Sequence, residues 1–109
     1  MTYEYHARIL KVTDGDTLRM DVDIGFGMWR RNEPYRLLRI NAPEMKFKAG
    51  KAARDFLIAL LAEVGMDATI RTEKSDVYGR FLAEVELSDG TNLSDYMVEH
   101  KQAKFKEYA

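Results

Sequence analysis

The most regular pattern in the chain is an alternation of apolar and polar residues that follows an Asp-Gly turn. Apolar side chains occupy every second position from residue 18 to residue 24: Leu18, Met20, Val22 and Ile24. A period of two puts these side chains on one face of an extended chain, so the segment predicts a half-buried β-strand. Residues 3–12, which are rich in aromatic and β-branched side chains, predict a strand before it.

A third strand is predicted over Tyr35–Ile40, where apolar residues occupy both parities and both faces are expected to be covered. Glycines within residues 25–32 predict a long hairpin loop before this strand, and Asn41-Ala42-Pro43 marks its end. Apolar residues then recur at helical spacing over Ala49–Val64, with Gly65 at the position of a C-terminal cap.

Two more strands are predicted at residues 67–72 and 81–87, and Asn92 can cap a short final helix. The resulting order of elements, β-β-β-α-β-β-α, is that of a mainly β protein with a five-stranded OB-fold barrel. The chain has 109 residues, which is enough for one such domain over residues 1–109 and too few for two.

The composition excludes several kinds of chemistry. The chain has no cysteine, which rules out a disulfide framework, a thiol nucleophile and a thiolate metal site, and its two histidines are too few for a histidine-rich zinc site. No apolar run is long enough to span a membrane. The first twelve residues lack the apolar core of a signal peptide, so we expect a cytoplasmic protein, unless a leader was removed. Separately, we expect a monomer.

The formal net charge is only −1, but the basic residues are concentrated in the middle of the chain. Residues 28–54 contain eight basic and two acidic side chains. Such a stretch can form a patch that faces phosphates, or it can be an ordinary solvated surface. Charge alone does not decide between these two interpretations.

Three short segments contain most of the candidate chemistry: residues 14–17 (Asp-Gly-Asp-Thr), 36–44 (Arg-Leu-Leu-Arg-Ile-Asn-Ala-Pro-Glu) and 76–80 (Asp-Val-Tyr-Gly-Arg). Taken alone, the first is compatible with an ordinary turn, because Asp-Gly is a strong turn dipeptide. The second is equally compatible with a basic strand that ends at a proline, and the third with an exposed loop.

Taken together, the segments favour phosphate chemistry. The start of the second strand lies beside the end of the third in an antiparallel pair, so Asp16 is expected near Asn41, the Ala42 carbonyl and Glu44. Hard oxygen donors of this kind suit Ca²⁺ or Mg²⁺. Two arginines from different segments can hold one phosphate, and a carboxylate can accept a proton from an attacking water.

The three segments in this order resemble the staphylococcal nuclease (thermonuclease) family, and the resemblance covers nearly the whole chain. It includes the helix between the second and third segments and the sequence Phe-Leu-Ala-Glu-Val that follows Arg80. The resemblance implies an OB-fold barrel and an endonuclease that hydrolyses DNA, and in some members RNA, with one Ca²⁺ ion. It also implies products that carry a 3′-phosphate.

The resemblance assigns roles by position. Asp16, Asn41 and the Ala42 carbonyl match the family's metal ligands. Arg36 and Arg80 match the pair that holds the phosphate and stabilises the extra charge of the transition state. Glu44 matches a residue that is described either as a general base or as a group that positions the water.

Further positions are assigned around this centre. Asp14 and Thr17 are expected behind the metal ligands, and the expected contacts to the substrate are Tyr78, Tyr108, Lys46 and Lys48. The chain also departs from the family pattern. The best-known member has an aspartate where this chain has Asn41, so one negative charge is missing from the cation site, and Val77 replaces a lysine.

Two other interpretations remain open at the level of the sequence. The first is a nucleic-acid-binding module with little or no catalysis, which the missing charge at Asn41 favours. The second is an OB domain that binds proteins or oligosaccharides. Phe26 and Trp29 in the predicted hairpin loop can stack on bases or fold back on the barrel.

Overall fold

The computed structural model describes residues 3–75 and 80–106 of the chain. The elements in this part are seven strands and two helices: β1 (Tyr3–Asp14), β2 (Thr17–Gly25), β3 (Met28–Leu37), β4 (Ile40–Asn41), α1 (Lys48–Val64), β5 (Asp67–Ser75), β6 (Phe81–Leu87), α2 (Leu93–Glu99) and β7 (Lys104–Phe105). Neither helix combines the length and the apolarity needed to cross a bilayer.

Five strands form a closed barrel in the order β1-β2-β3-β6-β5, with β5 returning to β1. The neighbouring strands are antiparallel except β3 and β6, which are parallel and align Tyr35 with Phe81. This is the mainly β, OB-like barrel that the order of elements predicts. Three of the four alternating residues of β2, Leu18, Met20 and Val22, are buried in the core as expected, whereas the fourth, Ile24, is exposed near the end of the strand.

Both helices pack on the barrel through the residues that the sequence indicates. Ala53, Leu57 and Leu61 on α1 are buried in the core cluster. Gly65 ends the helix, and its N–H donates to the Leu61 carbonyl at 2.8 Å. Asn92 caps α2 by accepting a hydrogen bond from the backbone N–H of Asp95 at 3.1 Å.

The prediction of a long hairpin loop over residues 25–32 is wrong. A two-residue turn at Phe26-Gly27, with positive φ at both residues, joins β2 directly to β3. The two strands continue beyond the barrel as an exposed ribbon, which an ion pair between Arg31 and Asp21 at 3.0 Å stabilises. Because polar side chains occur on both faces of the ribbon, the sequence of its β3 part lacks the hydrophobic alternation that predicts a strand. Phe26 is fully exposed at the tip and does not fold back on the barrel.

The third strand also ends earlier than predicted, at Leu37 rather than at Ile40. Arg39 adopts a left-handed backbone conformation (φ 69°) and turns the chain into the short strand β4. Its guanidinium binds Glu84 on β6 at 2.7 Å and Asp95 on α2 at 3.0 Å, which fixes the turn. Strand β4 pairs with β7, an element that the sequence pattern does not indicate.

Candidate active site

The candidate active site lies at the end of the barrel where the turn between β1 and β2 meets the end of β3. Thr17 on β2 pairs with Arg36 on β3, and the Asp16 carbonyl accepts a hydrogen bond from the Leu37 N–H at 2.8 Å. The antiparallel register therefore brings the first and second sequence segments together, as the strand order requires.

Asp16 is the centre of this arrangement and is only 7% exposed. One of its carboxylate oxygens, Oδ2, accepts a hydrogen bond from the Ala42 N–H at 2.8 Å and forms an ion pair with Nη1 of Arg36. The other, Oδ1, accepts a hydrogen bond from the Thr17 hydroxyl at 3.2 Å. The backbone N–H of Asp16 donates to Asp14 Oδ1 at 3.0 Å, so the Asp14 carboxylate lies next to the backbone of Asp16.

Burial raises the pKa of Asp16 to about 6, and the neighbouring Asp14 carboxyl adds to the rise. The Ala42 N–H and the Arg36 guanidinium act in the opposite direction but do not cancel it. The negative charge on Asp16 is therefore incompletely balanced in this environment. A cation placed beside the carboxylate would stabilise its charged form.

Two arginines converge on these groups from neighbouring strands. Arg36 is also 7% exposed, and its Nη2 donates to Asn41 Oδ1 at 3.1 Å, so it bridges Asp16 and Asn41. Arg80 lies just before β6, the parallel neighbour of β3, and its Nη1 donates to the Thr17 hydroxyl at 3.3 Å. Both guanidiniums thus lie within one network around Asp16.

Two glycines allow the loop at residues 42–44 to lie close to this network. A Cβ at Gly15 would be 2.8 Å from the Cβ of Ala42 and 2.9 Å from the Cβ of Ala53, which is too close for either. A Cβ at Gly50, in the first turn of α1, would collide with the backbone carbonyl of Glu44. No sequence pattern indicates this role of Gly50, because the contact depends on tertiary packing.

Other predicted residues lie outside the network. The Glu44 side chain is 71% exposed, and its carboxylate forms an ion pair with Lys46 at 3.2 Å. Lys48 is exposed at the start of α1. Tyr78 and Tyr108 lie outside the described residues. Phe26 and Trp29 belong to the tip half of the β2–β3 hairpin, whose other end carries Thr17 and Arg36.

The donors present fit a hard divalent cation. The Asp16 carboxylate and the Asn41 amide oxygen both contact the Arg36 guanidinium, and the Ala42 N–H donates to Asp16, so two side-chain oxygen donors and the backbone of residue 42 lie close together. Within residues 3–75 and 80–106, no three His, Cys, Asp or Glu side chains cluster so that they could hold a metal ion. The carboxylate at the centre of the network is that of Asp16, with Asp14 beside its backbone N–H and the neutral Asn41 amide on the other hydrogen bond of Arg36.

A groove of about 280 Å³ adjoins the network on the side of Asn41. Residues 41–43 line one wall and residues 101–104 the other, including Lys101 and Lys104. No sequence motif points to these two lysines. The only available signal is the positive charge near the C-terminus, because their approach to Asn41 depends on the pairing of β4 with β7.

Comparison with known proteins places these observations in a family. The model of the staphylococcal nuclease homologues matches residues 34–109. An uncharacterized endonuclease of Escherichia coli O157:H7 is 35% identical over 96 residues, which are 87% of this chain and 57% of that protein. Endonuclease YhcR of Bacillus subtilis (strain 168) is 30% identical over 92% of this chain, but the match covers 9% of its own length.

The chain thus spans little more than half of the first relative and a small part of the second. The family match includes Arg36, Asn41 and Arg80, and the register of β2 with β3 adds Asp16 to the same place. Because the family model matches residues 34–109, more than half of the sequence, the chain belongs to the staphylococcal nuclease family.

Proposed function

We propose that this chain is an endonuclease domain that hydrolyses phosphodiester bonds of DNA or RNA with one Ca²⁺ ion and leaves 3′-phosphate ends. The observation that carries the proposal is the network in which Arg36 contacts both Asp16 and Asn41 while Arg80 reaches the adjacent Thr17. The names of the two relatives, both endonucleases, support the same reaction class.

The cation would be held by Asp16, Asn41 and the Ala42 carbonyl. When bound, Ca²⁺ supplies positive charge that neutralises a phosphate oxygen and favours attack by water. The raised pKa of Asp16 supports this assignment, because a carboxylate whose charge is incompletely balanced gains from a neighbouring cation.

The two arginines bind and orient the scissile phosphate. A guanidinium presents its N–H groups as a planar fork that matches two phosphate oxygens, and two forks from different directions fix the phosphate in one orientation. The phosphate gains negative charge at its equatorial oxygens as water attacks. Donors that are already in position then stabilise the transition state more than the ground state.

Glu44 receives the proton of the attacking water or holds that water in line. The water oxygen forms a bond to phosphorus, the bond from phosphorus to the 5′ oxygen breaks, and the proton ultimately reaches that leaving oxygen. The side chain of Glu44 is exposed and pairs with Lys46, so it must turn towards the network when substrate binds. The close approach of Gly50 to the Glu44 carbonyl fixes the backbone of this residue, which lies two positions after Ala42, whose N–H donates to Asp16.

The test compares metal-dependent cleavage by the wild type with cleavage by two variants. Plasmid and single-stranded DNA are incubated with Ca²⁺, with Mg²⁺ or with EDTA, and the product ends are analysed for 3′-phosphate. We expect Arg80→Ala and Glu44→Gln each to lower kcat by about 10²-fold, because each removes a group that acts in the transition state.

Arg71→Ala is the matched control, since Arg71 is an exposed arginine that pairs with Glu4 on β1. It should cleave like the wild type. Binding of DNA without metal-dependent cleavage would instead identify the chain as a nucleic-acid-binding module, the alternative that the neutral Asn41 favours. Full activity of both variants would reject the assigned roles.

A further inference from the structure

We propose that the groove between residues 41–43 and 101–104 binds a phosphate that neighbours the scissile one, and that Lys101 and Lys104 hold it. The inference rests on the proposed function, because it extends the path of the nucleic acid from the candidate active site. It makes the two lysines determinants of preference for a polynucleotide over a single phosphodiester.

The position of Lys104 follows from the pairing of two short strands. Lys104 on β7 is directly opposite Asn41 on β4. Residues that are opposite each other in an antiparallel pair project from the same face of the sheet. Asn41 Oδ1 accepts a hydrogen bond from Arg36, so Asn41 is the shared neighbour of Lys104 and of the guanidinium assigned to the scissile phosphate.

Lys101 reaches the same groove from the turn that follows α2. Its backbone is in the left-handed region (φ 61°), a position after a helix where glycine is ordinarily preferred. The turn is fixed by hydrogen bonds from the N–H groups of Gln102 and Ala103 to the Met97 carbonyl, at 2.8 and 3.2 Å. These hydrogen bonds hold the backbone of Lys101 at the wall of the groove, although its left-handed conformation is unusual for a lysine.

The charge of the groove suits an anion. Asn41, the residue opposite Lys104, has a neutral side chain, and among the described residues neither Lys101 nor Lys104 forms an ion pair with a carboxylate. The volume of about 280 Å³ is close to the lower end of the range for ligand pockets, roughly 300 Å³. A phosphate with its sugar fits this space, and lysine is a common point-charge ligand for phosphate.

The experiment measures KM and kcat for two substrates in the presence of Ca²⁺. One is a thymidine p-nitrophenyl phosphodiester, which carries only the scissile phosphate, and the other is a short single-stranded oligonucleotide. Loss of two exposed cation–phosphate contacts in Lys101→Gln/Lys104→Gln should raise KM for the oligonucleotide by about tenfold and leave kcat unchanged. KM for the single phosphodiester should not change.

Arg8→Gln/Lys11→Gln is the control, because it removes two exposed positive charges from β1. It should leave both KM values close to those of the wild type. Oligonucleotides that extend only to the 5′ or only to the 3′ side of the scissile bond identify which neighbouring phosphate occupies the groove. The lysine substitutions should raise KM for one of these two oligonucleotides.

The outcomes separate the groove from the proposed function. Wild-type kinetics of the lysine variant on the oligonucleotide, or equal impairment on both substrates, would overturn the groove assignment while cleavage itself stands. If the wild type cleaves neither substrate, the proposed function fails, and oligonucleotide binding in EDTA then tests the groove alone. In that binding experiment, the slope of log K for the oligonucleotide against log salt concentration should become less steep by about 1.4 in the lysine variant, because each of the two lost contacts contributes about 0.7. An unchanged slope would reject the groove assignment.

Discussion

At the residue scale, Arg36 links the parts of the candidate active site. Its guanidinium is nearly buried and contacts the Asp16 carboxylate through Nη1 and the Asn41 amide oxygen through Nη2. A buried guanidinium is stable only when its charge and its hydrogen bonds are satisfied. The same oxygens are those assigned to the cation, so the charge of residue 41 affects both the arginine and the cation.

Asn41→Asp tests this charge directly. A second carboxylate should strengthen binding of a hard divalent cation, so the Ca²⁺ concentration for half-maximal activity should fall by roughly tenfold, equivalent to about 1.4 kcal/mol. A Ca²⁺ titration of the cleavage rate measures this concentration. Asn32→Asp, which adds the same charge on the exposed ribbon, is the control and should leave it unchanged. An unchanged Ca²⁺ requirement in Asn41→Asp would show that residue 41 is not a ligand.

At the scale of elements, the first turn of α1 supports the backbone of the loop at residues 42–44. Gly50 lies against the carbonyl of Glu44 and near that of Pro43, and the Phe47 N–H donates to the Glu44 carbonyl at 3.1 Å. The helix therefore fixes the backbone of Glu44 although the side chain is exposed. This contact explains why a residue of low helix propensity occupies the first turn.

The Gly50→Ala substitution should therefore destabilise the protein, although the same change in an open helix usually stabilises it. In an open helix, glycine to alanine stabilises the protein by up to about 1 kcal/mol, but here the new Cβ should destabilise it by about 1–3 kcal/mol. Displacement of Glu44 should also lower kcat. Urea unfolding and cleavage kinetics measure the two effects.

Ala52→Gly is the matched change at an exposed position of the same helix. It should cost about 1 kcal/mol of stability and leave kcat unchanged. A Gly50→Ala variant that is more stable than the wild type and equally active would contradict the proposed contact with Glu44.

The elements also show what the sequence can and cannot predict. The proximity of Asp16 to Asn41 was predictable because the alternation in β2 and the order of strands determine which ends are neighbours. The outer half of β3 was not, because most of its side chains are polar and its Arg31 pairs across the ribbon with Asp21 rather than joining an apolar face. Strand β7, and with it the place of Lys104, depends on pairing with a two-residue strand far away in the chain.

At the scale of the molecule, the basic middle of the chain is not a continuous phosphate-binding face. Six of the eight basic residues in residues 28–54 form ion pairs with carboxylates: Arg30, Arg31, Arg36, Arg39, Lys46 and Arg54. Their charges are mostly compensated locally, in keeping with a net charge of −1. Recognition of a nucleic acid then depends on a few cations placed at one end of the barrel rather than on the total charge.

In the proposed function, this end of the barrel holds one phosphate between two arginines and beside a cation. The most direct measurement is a crystal structure with Ca²⁺ and a nucleotide 3′,5′-bisphosphate. We expect one phosphate within hydrogen-bonding distance of both Arg36 and Arg80, and a cation bound by Asp16, Asn41 and the Ala42 carbonyl. A nucleotide bound away from both arginines, with Arg36 still bridging Asp16 and Asn41 and no cation beside them, would contradict the account.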